Sequence, residues 1–418
     1  MANFVQYHAQ VNVLAYSDDP PNLPPRNEKS KSKGVLLVNN AADEAAWFVH
    51  TVPNFLAYLS AYSWPQAETA KGHMFLCISF SSALLNSTMF ISIIVILISV
   101  RTCTAQVATC KDDGNGDPPN VLSSKLLKSG GNPAWAPSMQ NINQGADHSI
   151  VRTMESYVQH RAEIKVLAYS DDPPNLPPRN EKSKTKGVLL VHNAADEAAW
   201  FVHTVPNFLA YLSAYSWPQA ETAKGHMFLC VSFNKAHLNS VGKAIRYQEP
   251  YVYVNNLPAA ILNQHMELSN LINGIDVRVT PFLAHERFAT KSVQAVANIQ
   301  AFGKHSKSFA DMYARILRNR FAASIMVWSP ADARSKSICR GQHKLQKITS
   351  IQLDGVQVSR GADSAKWALI DGKNTVCFTT NDYTATDKRT PGAAVCLENA
   401  GVYNAFRTAA LNVEACNN

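Results

Sequence analysis

Short apolar segments alternate with polar loops along most of the chain. The segments IKVLAYS from Ile164, GVLLV from Gly187, AAWFVH from Ala198 and MFLCVSF from Met227 have the length and the β-branched or aromatic content of strands. The loop DDPPNLPPRNEKSK, which separates the first two segments, is too rich in proline to continue a sheet. Further along the chain, SIMVWS, KITSIQL, AKWALI and TVCFTT predict a second group of strands.

Other parts of the chain have the spacing of apolar residues that is typical of helices. Leu, Ile and Met recur every three to four positions in Leu257–Ile272, and Gly274 just beyond is a common helix stop. Residues 110–151 are rich in Gly, Pro, Asn and Asp and predict a loop. Because strands and helices mix along the chain, the fold class is α/β or α+β. The further predicted helices are Phe288–Phe302, Phe309–Phe321 and Ala393–Leu411.

One stretch of the chain occurs twice. Residues 5–87 match residues 158–240, and VLAYSDDPPNLPPRNEKS is identical in the two copies. Solenoid repeats diverge more than this and occur more than twice. The near-identity therefore indicates a recent partial tandem duplication. Between Val13 and Phe80 only three positions differ from the later copy: Ser32/Thr185, Asn39/His192 and Ile78/Val231.

The junction between the copies has the pattern of a secretion signal. Met89 is followed by the apolar run Phe90–Val100, which is shorter than the about 20 residues that a membrane span needs. Its length and the small residues after it are typical of a signal-peptide core and cleavage site, although a basic region before the core is missing. A single buried strand or a signal anchor is the alternative.

These patterns predict how the chain is divided. We expect a signal peptide at residues 89–105 and a secreted domain at residues 106–418, with halves of about 106–250 and 251–418. Residues 1–88 would then be a partial duplicate of residues 158–240, joined by a fusion or by the gene model.

Composition and charge narrow the class of partner. The chain has 46% apolar and 17% charged residues, which is typical of a globular protein and argues against a fibrous or disordered one. The formal net charge is +8. A basic surface favours a polyanionic partner such as nucleic acid, a heparin-like sugar or an anionic membrane. Charge that serves only to keep the protein in solution is the alternative.

Cysteine usage suits an oxidising compartment. Of the eight cysteines, Cys77 duplicates Cys230, and Cys103 lies in the predicted signal peptide. The other six allow three disulfides, and spacing alone does not choose among their pairings. No Cys-x-x-Cys occurs, so we expect neither a zinc ribbon nor a thioredoxin-type site, and we predict no metal or cofactor.

A series of short motifs in the later copy and beyond it resembles a known family. KGVLLV, HTVPNF, AYSWP and KGHMFLCVSF follow one another, and DSAKWALI comes later at Asp363–Ile370. In this order they resemble the deoxyribonuclease II family, which comprises acid, metal-independent endonucleases related to phospholipase D. The resemblance spans about 109–416 and is strongest over Val166–Phe233. It implies a phospholipase D-like, pseudo-twofold pair of mixed-sheet halves with flanking helices, in which one His-x-Lys motif from each half meets in a single site.

The family's chemistry explains why it needs both motifs. One histidine attacks the phosphorus and forms a phosphohistidine. The other histidine protonates the leaving oxygen, and the lysines hold the non-bridging oxygens. Because one histidine must be protonated, the resemblance also implies an acid pH optimum.

This sequence lacks both motif histidines. The first motif is Lys-Thr-Lys and the second is Ser-Ala-Lys, so Lys184 and Ser364 stand at the histidine positions, while Lys186 and Lys366 are retained. The earlier copy has the same change at Lys31. A lysine that is protonated at acid pH is a poor nucleophile, and Ser364 has no base beside it in the sequence. General acid–base catalysis alone contributes about 10²–10⁴-fold, so we expect nuclease activity to be impaired.

Three other histidines are candidates to replace the missing ones. His203, in HTVPNF, matches a histidine that the family keeps near its site, and it either assists phosphate binding or is a hydrogen-bonded structural histidine. His305-Ser306-Lys307 is a literal His-x-Lys, but its neighbours match a segment outside the family's motifs, and we expect an exposed basic loop there. His192 differs from Asn39 in the earlier copy, and no role is assigned to it.

The resemblance also implies covalent structure. Each of the six remaining cysteines matches a family position, with the pairs Cys110–Cys230, Cys339–Cys416 and Cys377–Cys396. After CKDDGNGDPP the family normally has an aromatic-rich first strand, whereas this chain has NVLSSKLLKSGG. We therefore expect the first sheet to lack that strand or to have another segment in its place.

The sequence predicts a deoxyribonuclease II-like protein that is catalytically impaired and secreted or, by family analogy, lysosomal. A basic cleft with Lys184, Lys186 and Lys366 would bind the phosphates of DNA or another polyanion, with strong salt dependence. One alternative is an active acid endonuclease with a rearranged site that uses His203. Another is a secreted protein-interaction module whose cleft is vestigial. We predict no stable membrane span and make no prediction of oligomeric state.

Overall fold

The chain forms two compact units in this computed structural model, Met1–Ala105 and Gln106–Asn418. The predicted signal peptide at residues 89–105 lies outside the described residues. No helix within the described part of the chain is long and apolar enough to cross a membrane. The structure describes residues 11–19, 33–39, 45–53, 75–80, 108–114, 124–179, 183–209, 215–292, 296–353 and 355–416.

The upstream unit contains a four-stranded antiparallel sheet in the order β1-β2-β3-β4. The Trp47 indole donates to the Tyr16 hydroxyl at 3.0 Å, and Lys33 forms an ion pair with Asp18. Leu14 in β1 is 62% exposed, so the described strands leave part of an apolar face uncovered. The strands are β1 (Val11–Ser17), β2 (Lys33–Asn39), β3 (Ala45–His50) and β4 (Phe75–Phe80).

The larger unit contains two sheets with helices packed around them. Its elements, apart from short 3₁₀ turns, are β5 (Lys125–Leu126), β6 (Ala136–Pro137), α1 (Ser149–Gln159), β7 (Ile164–Ser170), β8 (Lys186–His192), β9 (Ala198–His203), β10 (Phe228–Phe233), α2 (Leu238–Arg246), β11 (Val252–Asn255), α3 (Ala259–Gln264), α4 (Met266–Ile272), β12 (Leu283–Ala289), β13 (Asn298–Lys304), a π-helical segment (Met312–Leu317), α5 (Arg318–Phe321), β14 (Ile325–Trp328), β15 (Leu345–Leu353), β16 (Val356–Val358), β17 (Trp367–Ile370), β18 (Thr375–Thr379), β19 (Gly392–Glu398), α6 (Ala400–Ala409) and β20 (Ala410–Val413).

The two sheets share the pairing around the motif strand but not the strand order. The first sheet runs β10-β9-β8-β7-β11, and the central part of the second runs β19-β18-β17-β14-β15. In both sheets the strand that carries or directly follows a motif lysine, β8 or β17, pairs with two antiparallel neighbours. The second sheet is extended by β13 and β12 on one side, and by β16 and β20 on β15. The mixed α/β class is confirmed, but the first sheet is antiparallel throughout, whereas the second contains the parallel pair β14–β15.

A shared apolar core holds the halves together. Leu167, Leu189 and Trp200 of the first sheet belong to the same buried cluster as Ile299 and Val395 of the second, together with residues of α2 and α4. Helix α1 covers the opposite face of the first sheet. Because both faces are covered, every residue of β8 is buried, which explains the continuous apolar run GVLLV.

One helix prediction is wrong and another is wrong in part, because pairing in the second sheet overrides local spacing. Phe288–Phe302 was predicted to be helical, but its described residues form the β12–β13 hairpin, in which Phe288 lies opposite Ile299. The prediction of one helix over Ala393–Leu411 is wrong for its first part, which is β19 between β13 and β18, and is confirmed only over α6. A spacing of three to four residues also occurs by chance in strands, and here the ladder hydrogen bonds decide.

The other helix predictions are confirmed with shorter bounds. The predicted helix Leu257–Ile272 is two helices, α3 and α4, which meet at His265. The predicted helix Phe309–Phe321 begins only at Met312, where the Asp311 carboxylate accepts a hydrogen bond from the Ala314 amide. This side-chain cap sets the helix start three residues later than the apolar spacing suggests.

The segment before α1 adds no strand to the first sheet within the described residues. Residues 124–151 contain only the two-residue ladder β5–β6 before α1, and this ladder pairs with itself rather than with the first sheet. Within the described residues, therefore, no strand from this region extends that sheet.

Three disulfides cross-link the larger unit. They are Cys110–Cys230, Cys339–Cys416 and Cys377–Cys396, the same pairs that the resemblance implies.

Candidate functional site

A cavity of about 410 Å³ lies where the two motif segments meet. Its charged lining is mixed, because the acidic side chains of Asp171, Asp363 and Asp382 face it together with the basic ones. The structure thus brings the sequence-predicted site residues into one place. The predicted residues that line the cavity are Lys184, Lys186, His203, Ser364 and Lys366.

Lys186 enters the cavity because of how β7 and β8 pair. It is the first residue of β8 and lies opposite Ser170, so Asp171 follows directly beside it. The Lys186 amine contacts the Asp171 carboxylate at 2.6 Å. A Cβ at Gly187 would lie 2.4 Å from the Tyr169 hydroxyl, so only glycine fits beside the motif lysine.

Lys366 has the corresponding place in the second half. It directly precedes β17, and its amine donates to the Thr380 carbonyl at 3.0 Å and contacts Asp382 at 2.8 Å. Burial lowers the pKa of Lys366, and the charge of Asp382 offsets part of that effect. Both motif lysines are therefore held by a carboxylate of their own half of the molecule.

Lys184, at the first histidine position, reaches across to the second half. Its amine lies 2.9 Å from Asp382 and 3.5 Å from Asp387, and the side chain is 44% exposed. Burial acts to lower the pKa of Lys184, but the two carboxylates outweigh it and raise the pKa above its ordinary value. The amine consequently stays protonated, and it has no lone pair with which to attack phosphorus.

Asp382 is the electrostatic centre of the site. Its two oxygens contact different lysines, one from each motif. Burial acts to raise the pKa of Asp382, but Lys366 and Lys184 outweigh it and hold the pKa below its usual range. An ionised carboxylate therefore sits between the retained motif lysine Lys366 and Lys184, which stands at a histidine position.

The loop that carries Ser364 is fixed from two sides. The Trp328 indole donates to Asp363 at 2.7 Å, and the Ser364 amide donates to the Gly225 carbonyl at 2.8 Å. A Cβ at Gly225 would lie 2.6 Å from an Asp363 oxygen, so a glycine is needed at this crossing between the halves. Among the described residues, no histidine or carboxylate accepts a hydrogen bond from the Ser364 hydroxyl.

His203 is buried at the end of β9 and is only 3% exposed. Its ring stacks on Phe228 at a centroid distance of 5.5 Å and meets the edge of Phe208. Burial, with the nearby charge of Lys186 and the ring of His226, lowers the pKa of His203 to about 3. The imidazole is therefore neutral at acid pH and is not a general acid of the kind that the family's chemistry needs.

The other two candidate histidines do not line the cavity. His192 accepts hydrogen bonds from the amides of Ala194 and Ala195, which gives it a structural role at the end of β8. His305 is buried against Glu249 at 3.0 Å, whereas we expected the whole His305–Lys307 loop to be exposed. Only Lys307 of the three residues is exposed, and the Ser306 amide also donates to the Glu249 carboxylate.

Sequence reasoning missed the acidic partners of the lysines. Asp171 and Asp382 each follow a strand next to the motif strand, and the register of β7 with β8 would have placed Asp171 beside Lys186. The contact of Asp387 with Lys184 is not visible in the sequence, because it joins the two halves. In the described residues no group of acidic, histidine or cysteine side chains is arranged to hold a metal ion.

Known proteins resemble this chain over most of its length. A sequence profile described as Deoxyribonuclease II matches residues 3–102 and 123–416. Plancitoxin-1 of Acanthaster planci is 25% identical over 356 residues, covering 77% of this chain and 96% of that protein. Deoxyribonuclease-2-alpha of Rattus norvegicus is 26% identical over 317 residues, covering 73% and 88%. Cell-death-related nuclease 7 of Caenorhabditis elegans is 23% identical over 256 residues, covering 59% and 68%.

Proposed function

Because the chain belongs to the deoxyribonuclease II family, we propose that it is a member with impaired catalysis that binds the phosphodiester backbone of DNA. The observation that carries this proposal is the cavity itself. It contains both motif lysines, but Lys184 and Ser364 line it where the family has histidines. The phosphate-binding part of the family's machinery is kept, and the groups that break the bond are replaced.

The missing chemistry has three parts. The protonated Lys184 is held by two carboxylates, so it is no nucleophile. Within the described structure the Ser364 hydroxyl is not hydrogen-bonded to a histidine or carboxylate that could remove its proton. His203 is neutral and buried, so it does not protonate a leaving oxygen. A phosphodiester in the cavity would be bound without being attacked.

Binding to DNA should be electrostatic and modest. Lys184, Lys186 and Lys366 are the proposed phosphate contacts, but each already has an acidic partner at 2.6–2.9 Å. A phosphate has to compete with these carboxylates for the amines. We therefore expect little sequence preference and an affinity that falls steeply as salt rises.

We also propose that the protein is secreted or delivered to an acidic compartment by the secretory pathway. Three disulfides and the apolar run Phe90–Val100 support this. In this proposal residues 89–105 are a signal peptide and residues 1–88 are a partial duplicate. Amino-terminal sequencing of the native protein should give a start near Gln106, and a start before Met89 would contradict the proposal.

Plasmid nicking at acid pH in EDTA tests the catalytic part. We expect the disulfide-bonded protein to leave supercoiled plasmid intact, and the double variant Lys184→His, Ser364→His to nick it. The single variants Lys184→His and Ser364→His are the matched controls, and each should stay inactive because two histidines are needed. Nicking activity that co-purifies with the unaltered protein would refute impaired catalysis and favour an active, rearranged site.

DNA binding is tested separately from cleavage. A mobility shift with a short duplex should appear at low salt and weaken strongly at moderate salt. Binding that is absent at low salt would refute the nucleic-acid role and favour a protein-interaction module. Binding that does not change with salt would also contradict the proposed phosphate contacts.

A further inference from the structure

A second surface lies beside the cavity, where a buried lysine side chain holds two loops of the second half together. The Lys304 amine, fully buried at the end of β13, donates to the carbonyls of Ala310 and Asp387. These bonds hold the loop after β13 against the loop between β18 and β19. Four exposed side chains result, two from each loop, and we call them the loop surface: Lys307, Phe309, Lys388 and Arg389.

Phe309 is the unusual member of the loop surface. Its side chain is 64% exposed, although it is a large aromatic residue. Its backbone has φ 49° and ψ 26°, the left-handed region that a bulky side chain adopts only at a cost in free energy. The Arg389 guanidinium lies 6.0 Å from the centre of its ring, so a cation borders the exposed aromatic face.

The charge of the loop surface is positive. Within the described part of the chain, no carboxylate forms an ion pair with Lys307, Lys388 or Arg389. Three nearby acidic groups have other partners. Glu249 contacts His305 and the buried Asp387 contacts Lys184, while the buried Asp311, which is influenced by the charge of Lys388, accepts from the Ala314 amide. The loop surface thus combines an exposed aromatic ring with cations that are free of ion pairs.

The loop surface is continuous with the cavity. Thr390, the residue after Arg389, lines the cavity wall. Asp387, directly before Lys388, contacts the Lys184 side chain at the cavity at 3.5 Å. A chain of phosphates that leaves the cavity on this side would therefore pass over Lys388 and Arg389.

We propose that the loop surface binds a single-stranded segment of nucleic acid, with a base stacked on Phe309 and the adjoining phosphates at Lys307, Lys388 and Arg389. An aromatic platform bordered by cations is how proteins hold single strands without reading their sequence. The complementary charge and the continuity with the cavity select this occupant over a protein or a membrane. The inference rests on the proposed function, because the same strand is taken to occupy the cavity.

Stacking is tested with two oligonucleotides that differ only in their bases. Fluorescence anisotropy measures the binding of the full protein to a labelled oligothymidylate and to an abasic strand of the same length. Phe309→Ala should weaken oligothymidylate binding by about fivefold or more and leave abasic binding unchanged. Phe309→Trp, which keeps an aromatic ring, should bind oligothymidylate as tightly as the unaltered protein. Met266→Ala, which removes an apolar side chain that is 65% exposed on α4, is the matched control and should have no effect.

The cations are tested by the salt dependence of the same binding. The double variant Lys388→Gln, Arg389→Gln should lower the slope of log K against log salt by about 0.7 for each lost phosphate contact, on both strands. Lys373→Gln, an exposed lysine in the turn between β17 and β18, should leave the slope unchanged.

The outcomes separate this inference from the proposed function. If the unaltered protein binds neither strand at low salt, both are refuted. If it binds but Phe309→Ala weakens both strands equally or neither, the stacking surface is refuted and DNA binding stands. Because Phe309 is exposed, its replacement should leave the melting temperature unchanged, so a loss of binding does not report unfolding.

Discussion

At the scale of single residues, this site is defined by carboxylates as much as by lysines. Asp382 contacts Lys184 and Lys366, and Asp171 contacts Lys186, so each proposed phosphate contact already holds an anion. The change to lysine at position 184 thus has two effects. It removes one of the two histidines that the family's chemistry needs, and it adds a cation that ties the two halves together through Asp382 and Asp387.

Removing the central carboxylate should increase the affinity for DNA. Asp382→Asn keeps the shape of the side chain but frees Lys184 and Lys366 to contact phosphates. We expect the affinity for duplex DNA to rise by roughly 5- to 10-fold at low salt. The slope of log K against log salt should become steeper by about 0.9 for each new phosphate contact. The control variant Asp371→Asn removes the same charge at the opposite end of β17 and should leave the affinity for DNA almost unchanged. Equal affinities for both variants would contradict competition at Asp382.

The buried His203 should make the fold sensitive to acid. Its pKa is about 3 in the folded chain and near 6.5 when unfolded. The unfolded chain therefore binds the proton first, and stability falls as pH drops from about 6.5 towards about 3. His203→Phe removes this titration while keeping an aromatic ring beside Phe208 and Phe228.

Denaturant unfolding at pH 7 and pH 5 measures the effect of His203. The loss of stability between these pH values should be smaller in His203→Phe by roughly 2 kcal/mol. An equal loss in the two proteins would show that His203 is exposed or already charged in the fold. That result would reopen a role for it as an acid.

At the scale of elements, loop crossings rather than strands position the second motif. The segment before β10 passes so close to the loop of Ser364 that Gly225 exchanges backbone hydrogen bonds with Ala362 and Ser364 at 2.7 and 2.8 Å. This crossing also joins the two halves, since Gly225 belongs to the first and Ser364 to the second. Local sequence around either residue contains no sign of the contact.

Crowding that crossing should disturb both the fold and the site. Gly225→Ala places a Cβ 2.6 Å from an Asp363 oxygen, so the Asp363 loop has to shift. We expect a loss of roughly 1–3 kcal/mol in the free energy of unfolding. Gly361→Ala is the matched control on the same loop, because its Cβ would meet nothing within 4 Å. A Gly225→Ala protein as stable as the control would contradict the close approach.

At the scale of the whole molecule, the larger unit contains what a stable domain needs. All three disulfides and the described apolar clusters lie within Gln106–Asn418. The upstream sheet repeats four strands of the first half, but its Leu14 is 62% exposed, whereas the equivalent Leu167 is fully buried. Most of α2 and all of α4, which pack in the same cluster as Leu167, lie beyond residue 240, where the duplicated stretch ends.

The larger unit should therefore fold without the upstream one. A chain that starts at Gln106 should form the same three disulfides and unfold at the same temperature as the main transition of the full chain. Its cooperative unfolding is expected because one apolar cluster spans both sheets. Peptide mapping and calorimetry measure both properties. A chain from Gln106 that fails to form the disulfides would show that residues 1–105 are needed for folding.

The sequence alone determined the strands of the first half and the identity of the motif residues. GVLLV and AAWFVH are short, continuous apolar runs with β-branched or aromatic residues, a pattern that fits strands of a sheet buried on both faces. The replacement of both motif histidines is likewise visible in the sequence alone. The resemblance to the family predicted that Lys184 and Ser364 lie in one site.

Only the tertiary structure decided the rest. The hairpin at Phe288–Phe302 exists because β19 offers a partner for its ladder, and no local pattern contains that partner. The contacts of Lys184 with Asp382 and Asp387 join residues about two hundred positions apart, and the exposed ring of Phe309 depends on a buried lysine beneath two loops. The chain specifies which groups are present, but charge and burial act through distance in space, and that distance is set by the packing of the two halves.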